Sequence, residues 1–179
     1  MFSKVRRLLY SLIILSSVVF LPSLCFGKLI DDDIRIDLSP DAHVRVENRF
    51  GNVSVEVWSN KYVSVSATVE GSLQFKRSPI VIDNRGKLLS VSVVRTPPDP
   101  VAAIHLTVKV PDTSHLEILT TSGGIVMRGL SASASLRSGS GDIETVLPAA
   151  VSANISARSA RGTIRSGLGA TPASDGHSL

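Results

Sequence analysis

The sequence predicts an all-β fold: stacked coils of the β-solenoid or β-helix type, with an antiparallel N-terminal strand region and a signal peptide in front. Three observations lead there. Apolar β-branched residues alternate with polar ones through the first half, as at Val53, Val55 and Val57. Gly-x-Ile steps recur about every twenty residues in the second half, as Gly123-Gly124-Ile125, Gly141-Asp142-Ile143 and Gly162-Thr163-Ile164. Beyond residue 27 no stretch carries a helical apolar stripe.

Residues 1–27 read as a signal peptide. Lys4, Arg6 and Arg7 form a positive n-region, an uncharged apolar run extends from Leu8 to Leu21, and Pro22 ends it. That run falls short of the ~20 residues a membrane span needs, so cleavage after Gly27 is expected, with an uncleaved anchor as the lesser alternative. Membrane contact would then come only through that segment, if uncleaved. Cys25, the single cysteine, would be acylated only in a lipoprotein, and Leu24 stands where a lipobox places a small residue. Removing the three n-region cations takes Lys+Arg from 19 to 16 against 15 acids, so a net charge of +4 becomes +1. With aromatics at 4% and no dense basic patch, nucleic acid is not an expected partner.

The expected strands follow in order. Asp31-Asp32-Asp33 reads as a solvated N-terminal tail. Val44 and Val46 open the alternation, which continues through Val53–Val57, Val63–Val69, Leu89–Val93 and Ile104–Val110. Gly51 supplies a turn with positive φ, and Ser59-Asn60 and Asn84-Arg85-Gly86 read as hairpin-like breaks. Thr96-Pro97-Pro98-Asp99-Pro100 reads as an exposed excursion. Beyond Leu116, Ser, Ala and Gly replace large apolar residues, as tight coils with rungs about 4.8 Å apart require. The inward set there is Leu116, Ile118, Ile125, Met127, Leu136, Ile143, Val146, Val151, Ile155 and Ile164. One domain is expected over 28–169, with 170–179 a disordered or truncated tail that leaves an open coil end.

Several of these segments resemble the bacterial "putative adhesin" domains, head-GIN-like secreted β-solenoids similar to the head domain of certain autotransporter adhesins. The resemblance is carried by Val108-Lys109-Val110-Pro111-Asp112, Thr120-Thr121-Ser122-Gly123-Gly124-Ile125 and Leu136-Arg137-Ser138-Gly139-Ser140-Gly141-Asp142-Ile143-Glu144. Val46-Glu47-Asn48-Arg49-Phe50-Gly51-Asn52-Val53 looks like the family's opening coil, with Gly-Asn-Val in place of Gly-Asp-Ile. The resemblance spans roughly Ile34 to Gly169. It implies an envelope-associated or secreted β-solenoid and brings no catalytic residues with it.

No catalytic, cofactor-binding or metal-binding set emerges from the residues. His43, His105, His115 and His177 lack metal-ligand spacing, and the first three occupy the outward phase of their strands. Asp142 stands alone where a calcium-binding β-roll would need tandem carboxylates. No Gly-x-Ser-x-Gly elbow occurs, although Asp142 and Glu144 share a strand face and keep a polysaccharide-cleaving β-helix as an alternative. Trp58 and Tyr62, beside the Ser59-Asn60 turn, either form a sugar-stacking platform or pack against a neighbouring strand. Arg128, Arg137, Arg158, Arg161 and Arg165 would line up as a ladder on stacked coils, either for anionic partners or for solubility and edge protection. The absence of aromatic girdles argues against an outer-membrane barrel. The expected function is that of an exported, non-enzymatic protein of the periplasm, cell surface or extracellular space. Its adhesin-like surface would meet an envelope polysaccharide or protein, or another copy at the open coil end.

Overall fold

The structure, a computed structural model, describes residues 28–69, 75, 78–94, 102–148 and 154–167. The expected signal segment with Cys25, the 96–100 excursion, Val151, His177 and the 170–179 tail lie outside the described residues. Thirteen strands and no helix are found among the described residues. They are β1 (Lys28–Asp37), β2 (His43–Phe50), β3 (Val53–Trp58), β4 (Tyr62–Val69), β5 (Ile80–Asn84), β6 (Leu88–Val93) and β7 (Ile104–Pro111). The remainder are β8 (His115–Ser122), β9 (Ile125–Arg128), β10 (Ser133–Ser138), β11 (Ile143–Val146), β12 (Ile155–Ser159) and β13 (Ile164–Ser166).

The strands form two mixed sheets. Sheet A runs β1-β4-β7-β3-β9-β11-β13 and sheet B runs β12-β10-β8-β2-β6-β5; neither closes on itself. From β8 onward the chain visits B and then A in turn, and each round adds one parallel strand beside the previous one in both sheets. The Gly-x-Ile steps coincide with this alternation, so Ile125 pairs with Ile143, and Ile143 with Ile164. Each rung crosses between the sheets at the glycine.

The first rung in sequence, β2 followed by β3, does not sit at the end of the stack. It lies in the middle, with β8 and β9 on one side and β6 and β7 on the other. The expected antiparallel N-terminal region is therefore a mixed one. β2 and β3 are parallel to all their neighbours, and antiparallel pairing is confined to β1–β4, β4–β7 and β5–β6. Ser59-Asn60 is not a hairpin, because β7 separates β3 from β4. Asn84-Arg85-Gly86 does close one: β5 and β6 pair, Gly86 has φ 76°, and its N–H donates to Asn84 Oδ1 at 3.1 Å.

Asp31-Asp32-Asp33 is also displaced from its expected place, lying inside β1 rather than in a tail. The alternating Ile34 and Ile36 that follow pair with Val65 and Val63. The register shifts on either side of Asp31, and Asp33 takes φ 45°, so the acidic stretch is absorbed as irregular strand.

Side chains from both sheets merge into one apolar core. In sheet B the inward columns read Leu89–Val44–Leu116–Ala134–Ile155 and Val91–Val46–Ile118–Leu136–Ala157. In sheet A they read Leu106–Val53–Ile125–Ile143–Ile164 and Val108–Val55–Met127–Thr145–Ser166. Thr145 is thus buried, and Val146, expected inside, is 44% exposed because strict period two places it on the opposite face. Ile155 and Ile164 are only half-buried against the core.

Candidate binding surface

The geometry of the outer faces is set by how tightly the rungs stack at one corner. Gly51, Gly123, Gly141 and Gly162 occupy equivalent places there. A Cβ on Gly123 would lie 2.1 Å from the Gly51 carbonyl oxygen, one on Gly141 2.0 Å from that of Gly123, and one on Gly162 2.2 Å from that of Gly141. Only glycine permits this approach.

Three residues before each glycine stands a buried or nearly buried polar side chain: Asn48, Thr120, Ser138 and Ser159. Register pairs them into a column. Thr120 Oγ1 donates to the Gly123 carbonyl at 2.9 Å, and Ser138 Oγ donates to the same carbonyl at 3.1 Å while accepting from Gly141 N at 2.7 Å. Ser159 repeats the pattern one rung on, donating to the Gly141 carbonyl at 2.9 Å and accepting from Gly162 N at 2.9 Å. Asn48 donates to the Gly51 and Ile104 carbonyls, but its Oδ1 is left buried without a partner. A hydroxyl can donate and accept at once, which suits the repeating corner. This column was missed in the sequence, although a polar residue three places before every repeat glycine was visible there.

A second column runs outside the corner. Gly124 N donates to Asn52 Oδ1 at 2.9 Å, and Thr163 N donates to Asp142 Oδ1 at 2.7 Å. Asp142 is therefore a cap for the next rung. The hydrogen bond from the Thr163 backbone, above all, holds its carboxyl below the ordinary 3.8. Among the described residues no three His, Cys, Asp or Glu side chains gather in metal-binding range.

Of the two outer faces, that of sheet A is largely self-engaged near the Trp58 corner. Trp58 and Tyr62 meet edge to face at 4.8 Å, and Trp58 Nε1 donates to the Tyr62 carbonyl at 3.1 Å. Lys109 lies over the Trp58 ring and Arg35 over the Tyr62 ring, at 5.4 and 5.5 Å. These rings form a packed pair with cations seated on them. Lys109 also pairs with Glu56 at 3.2 Å, and Arg35 with Asp33 at 3.1 Å. Asp33 is held below its ordinary value first by the Ser64 hydroxyl and then by Arg35.

The five arginines of the expected ladder do not share one column. Arg128 and Arg165 are both on sheet A, but Arg128 is the register partner of Val146 and Arg165 that of Glu144. Arg161 lies in the turn between β12 and β13. Arg137 and Arg158 are brought together: they are direct register partners on the outer face of sheet B, and both are exposed.

That face also carries a shallow groove of about 590 Å³. His43 and His115 stack across it at 4.8 Å and 23°, and His115 Nδ1 lies 2.8 Å from Ser133 Oγ. Beside them Arg45 holds both Glu47, at 2.6 Å, and Glu117, at 3.7 Å. The groove exists because Ser133, Ser135 and Ser156 are short where His115, Glu117 and Arg45 on the neighbouring rungs are tall.

No family model and no curated protein matches the sequence. Among solved structures, a "putative cell adhesion protein" from Clostridium sporogenes is similar at 10% identity, over 79% of this chain and 99% of that one, with a TM-score of 0.46. A "putative adhesin" from Parabacteroides distasonis is similar at 12% identity over 79% of each chain, with a TM-score of 0.31. Another from Parabacteroides merdae is similar at 11%, over 78% of this chain and 96% of that one, with a TM-score of 0.28. At these values the likenesses fix neither the fold nor the function of the chain.

Proposed function

We propose that the protein is exported to the cell envelope and acts without catalysis, as an adhesin-like β-solenoid whose flat faces bind a polymer or protein partner. The observation that carries this reading is the in-register parallel run β2–β8–β10–β12, whose outward residues, apart from Leu119, form a polar face. A rigid face of this kind keeps its groups in place before the partner arrives, so little ordering entropy is lost on binding. Of the five arginines Arg128, Arg137, Arg158, Arg161 and Arg165, Arg137 and Arg158 lie on this face as the pair placed to act together, while Arg128 and Arg165 belong to sheet A and Arg161 to a turn.

The alternative of a carbohydrate-cleaving enzyme is less well supported. A glycosidase acid needs a raised pKa, whereas the Asp142 carboxyl is engaged by Thr163 and held low. Glu144 sits on the sheet A face opposite Arg165. Self-association through the outer rung β12–β13 is the remaining alternative.

The test is a pull-down of envelope polysaccharide fractions by the purified exported form, beside an inert all-β protein of similar charge. Retention of at least one fraction above the control is expected. Equal retention by both proteins would remove the reading.

A further inference from the structure

The outer face of sheet B is unevenly charged, and the unevenness has a direction. Its two acids nearest the arginines, Glu47 and Glu117, are both held by Arg45. In the column that contains Arg137 and Arg158, the next register partners are Leu119 and then Glu47. Neither Arg137 nor Arg158 has an ion-pair partner among the described residues. Like charges placed directly opposite on neighbouring strands repel, at a spacing of about 4.8 Å between backbones. A fold needing only solubility would gain from offsetting them with an acid. Here the local acids are drawn off to Arg45, and the pair stays bare.

Two guanidinium forks at this spacing present several N–H donors to one oxyanion bridging both rungs. The groove begins two residues back along the same strands, at Ser135 and Ser156, about 6.6 Å from the arginines. Its lining combines serine hydroxyls, two imidazoles stacked on each other, the Arg45–Glu117 ion pair and the exposed Leu88. Hydroxyls and paired charges beside an apolar side chain suit a sugar, with its polar rim and C–H face. Nucleic acid fits poorly, since no Phe, Tyr or Trp among the described residues lines the groove to stack a base.

Resting on the surface-binding reading above, we infer that this face is a site for an acidic polysaccharide. A carboxylate or sulfate of one residue bridges Arg137 and Arg158, and a neighbouring sugar ring lies in the groove beside His43 and His115. The occupant is a chain rather than a lone anion, because the groove extends the site past the arginine pair.

Calorimetric titration of the full exported form with polygalacturonate, dextran sulfate and neutral dextran tests this. The acidic polymers are expected to bind at least about tenfold tighter than dextran, and the difference between them tells carboxylate from sulfate. R137Q/R158Q is expected to lose about tenfold or more of that affinity while melting no lower than the wild type, since a repulsive contact is removed. R128Q, on the opposite face, should stay within about twofold of the wild type. Unchanged binding by R137Q/R158Q, equal binding of dextran, or no binding of any of the three overturns the inference. Should R137Q/R158Q fold poorly, a salt series on the wild type decides: affinity that does not fall between about 50 mM and about 500 mM salt overturns it. The broader surface-binding reading fails only if the envelope-fraction pull-down fails as well.

Discussion

The two ends of the stack are held together by different chemistry. Around β4, β6 and β7 the interior is filled by Val63, Val65, Leu89, Val91, Leu106 and Val108, all buried, and the strands alternate in direction. Around β10 to β13 the inward columns taper to Ala134, Ala157, Thr145 and Ser166. There the rungs are fastened instead by the glycine corner and its column of hydroxyls. Apolar burial tolerates a change of shape, because neighbouring side chains can shift to fill space. A backbone in contact with backbone cannot. The small-residue end should therefore be sensitive to tiny additions, and the valine-rich end to large deletions.

The sharpest way to break that contrast is one methyl group. Gly141→Ala places a Cβ 2.0 Å from the Gly123 carbonyl oxygen and should cost about 3 kcal/mol or more in denaturant unfolding. Removing apolar volume is next in size. Ile118→Ala, in the middle of the stack with no exposure, should cost about 3 kcal/mol and lower the denaturant midpoint. Ser138→Ala deletes no volume to speak of, yet leaves Gly141 N without its acceptor, for an expected loss of about 2 kcal/mol. Ser138→Thr, matching Thr120 one rung away, should recover much of it. Gly86→Ala serves as the counterpart of Gly141→Ala: nothing lies within 4 Å of the new methyl, so only the φ 76° strain remains, about 1 kcal/mol. A cost equal to that of Gly141→Ala would mean the corner column is no tighter than an ordinary hairpin.

The smallest effect should appear only in acid. Thr163 and its surroundings hold the Asp142 carboxyl below 3.8, so its stabilising contribution is fully present above that value and is lost as pH falls through the lower folded value. Asp142→Asn keeps a carbonyl for the Thr163 N–H, as Asn52 does for Gly124, and should melt close to the wild type at neutral pH. Its melting temperature should lack the part of the acid decline that Asp142 contributes. An identical pH profile for the two proteins would show that the cap does not depend on charge.

Much of the fold is legible in the sequence, and the reasons are local. Period two at Val53, Val55 and Val57 requires a strand with one buried face, whatever its partner. The repeated Gly-x-Ile step marks where each rung turns, and the register of Ile125, Ile143 and Ile164 follows from it. The outward phase of His43, His105 and His115 was legible for the same reason. Val146 was misplaced because its strand is short, and one residue of slip exchanges inside for outside. The candidate site was legible only in part. Arginines could be counted from the sequence, but which of them face each other depends on register between strands separated by about twenty residues.

Local pattern alone thus determined most of the strands and their inward and outward faces, but not β1, β5 or the face of Val146, and it determined the turns at Gly123, Gly141 and Gly162. Tertiary structure alone decided that β2 and β3 enter the middle of the stack, that Arg137 meets Arg158 while Arg128 does not, and that Arg45 draws off both nearby acids. The physical reason is one of range. Alternation and corner glycines act within a few residues, whereas strand order is set by which long-range pairing buries the most apolar surface, and many orders satisfy the same local rules.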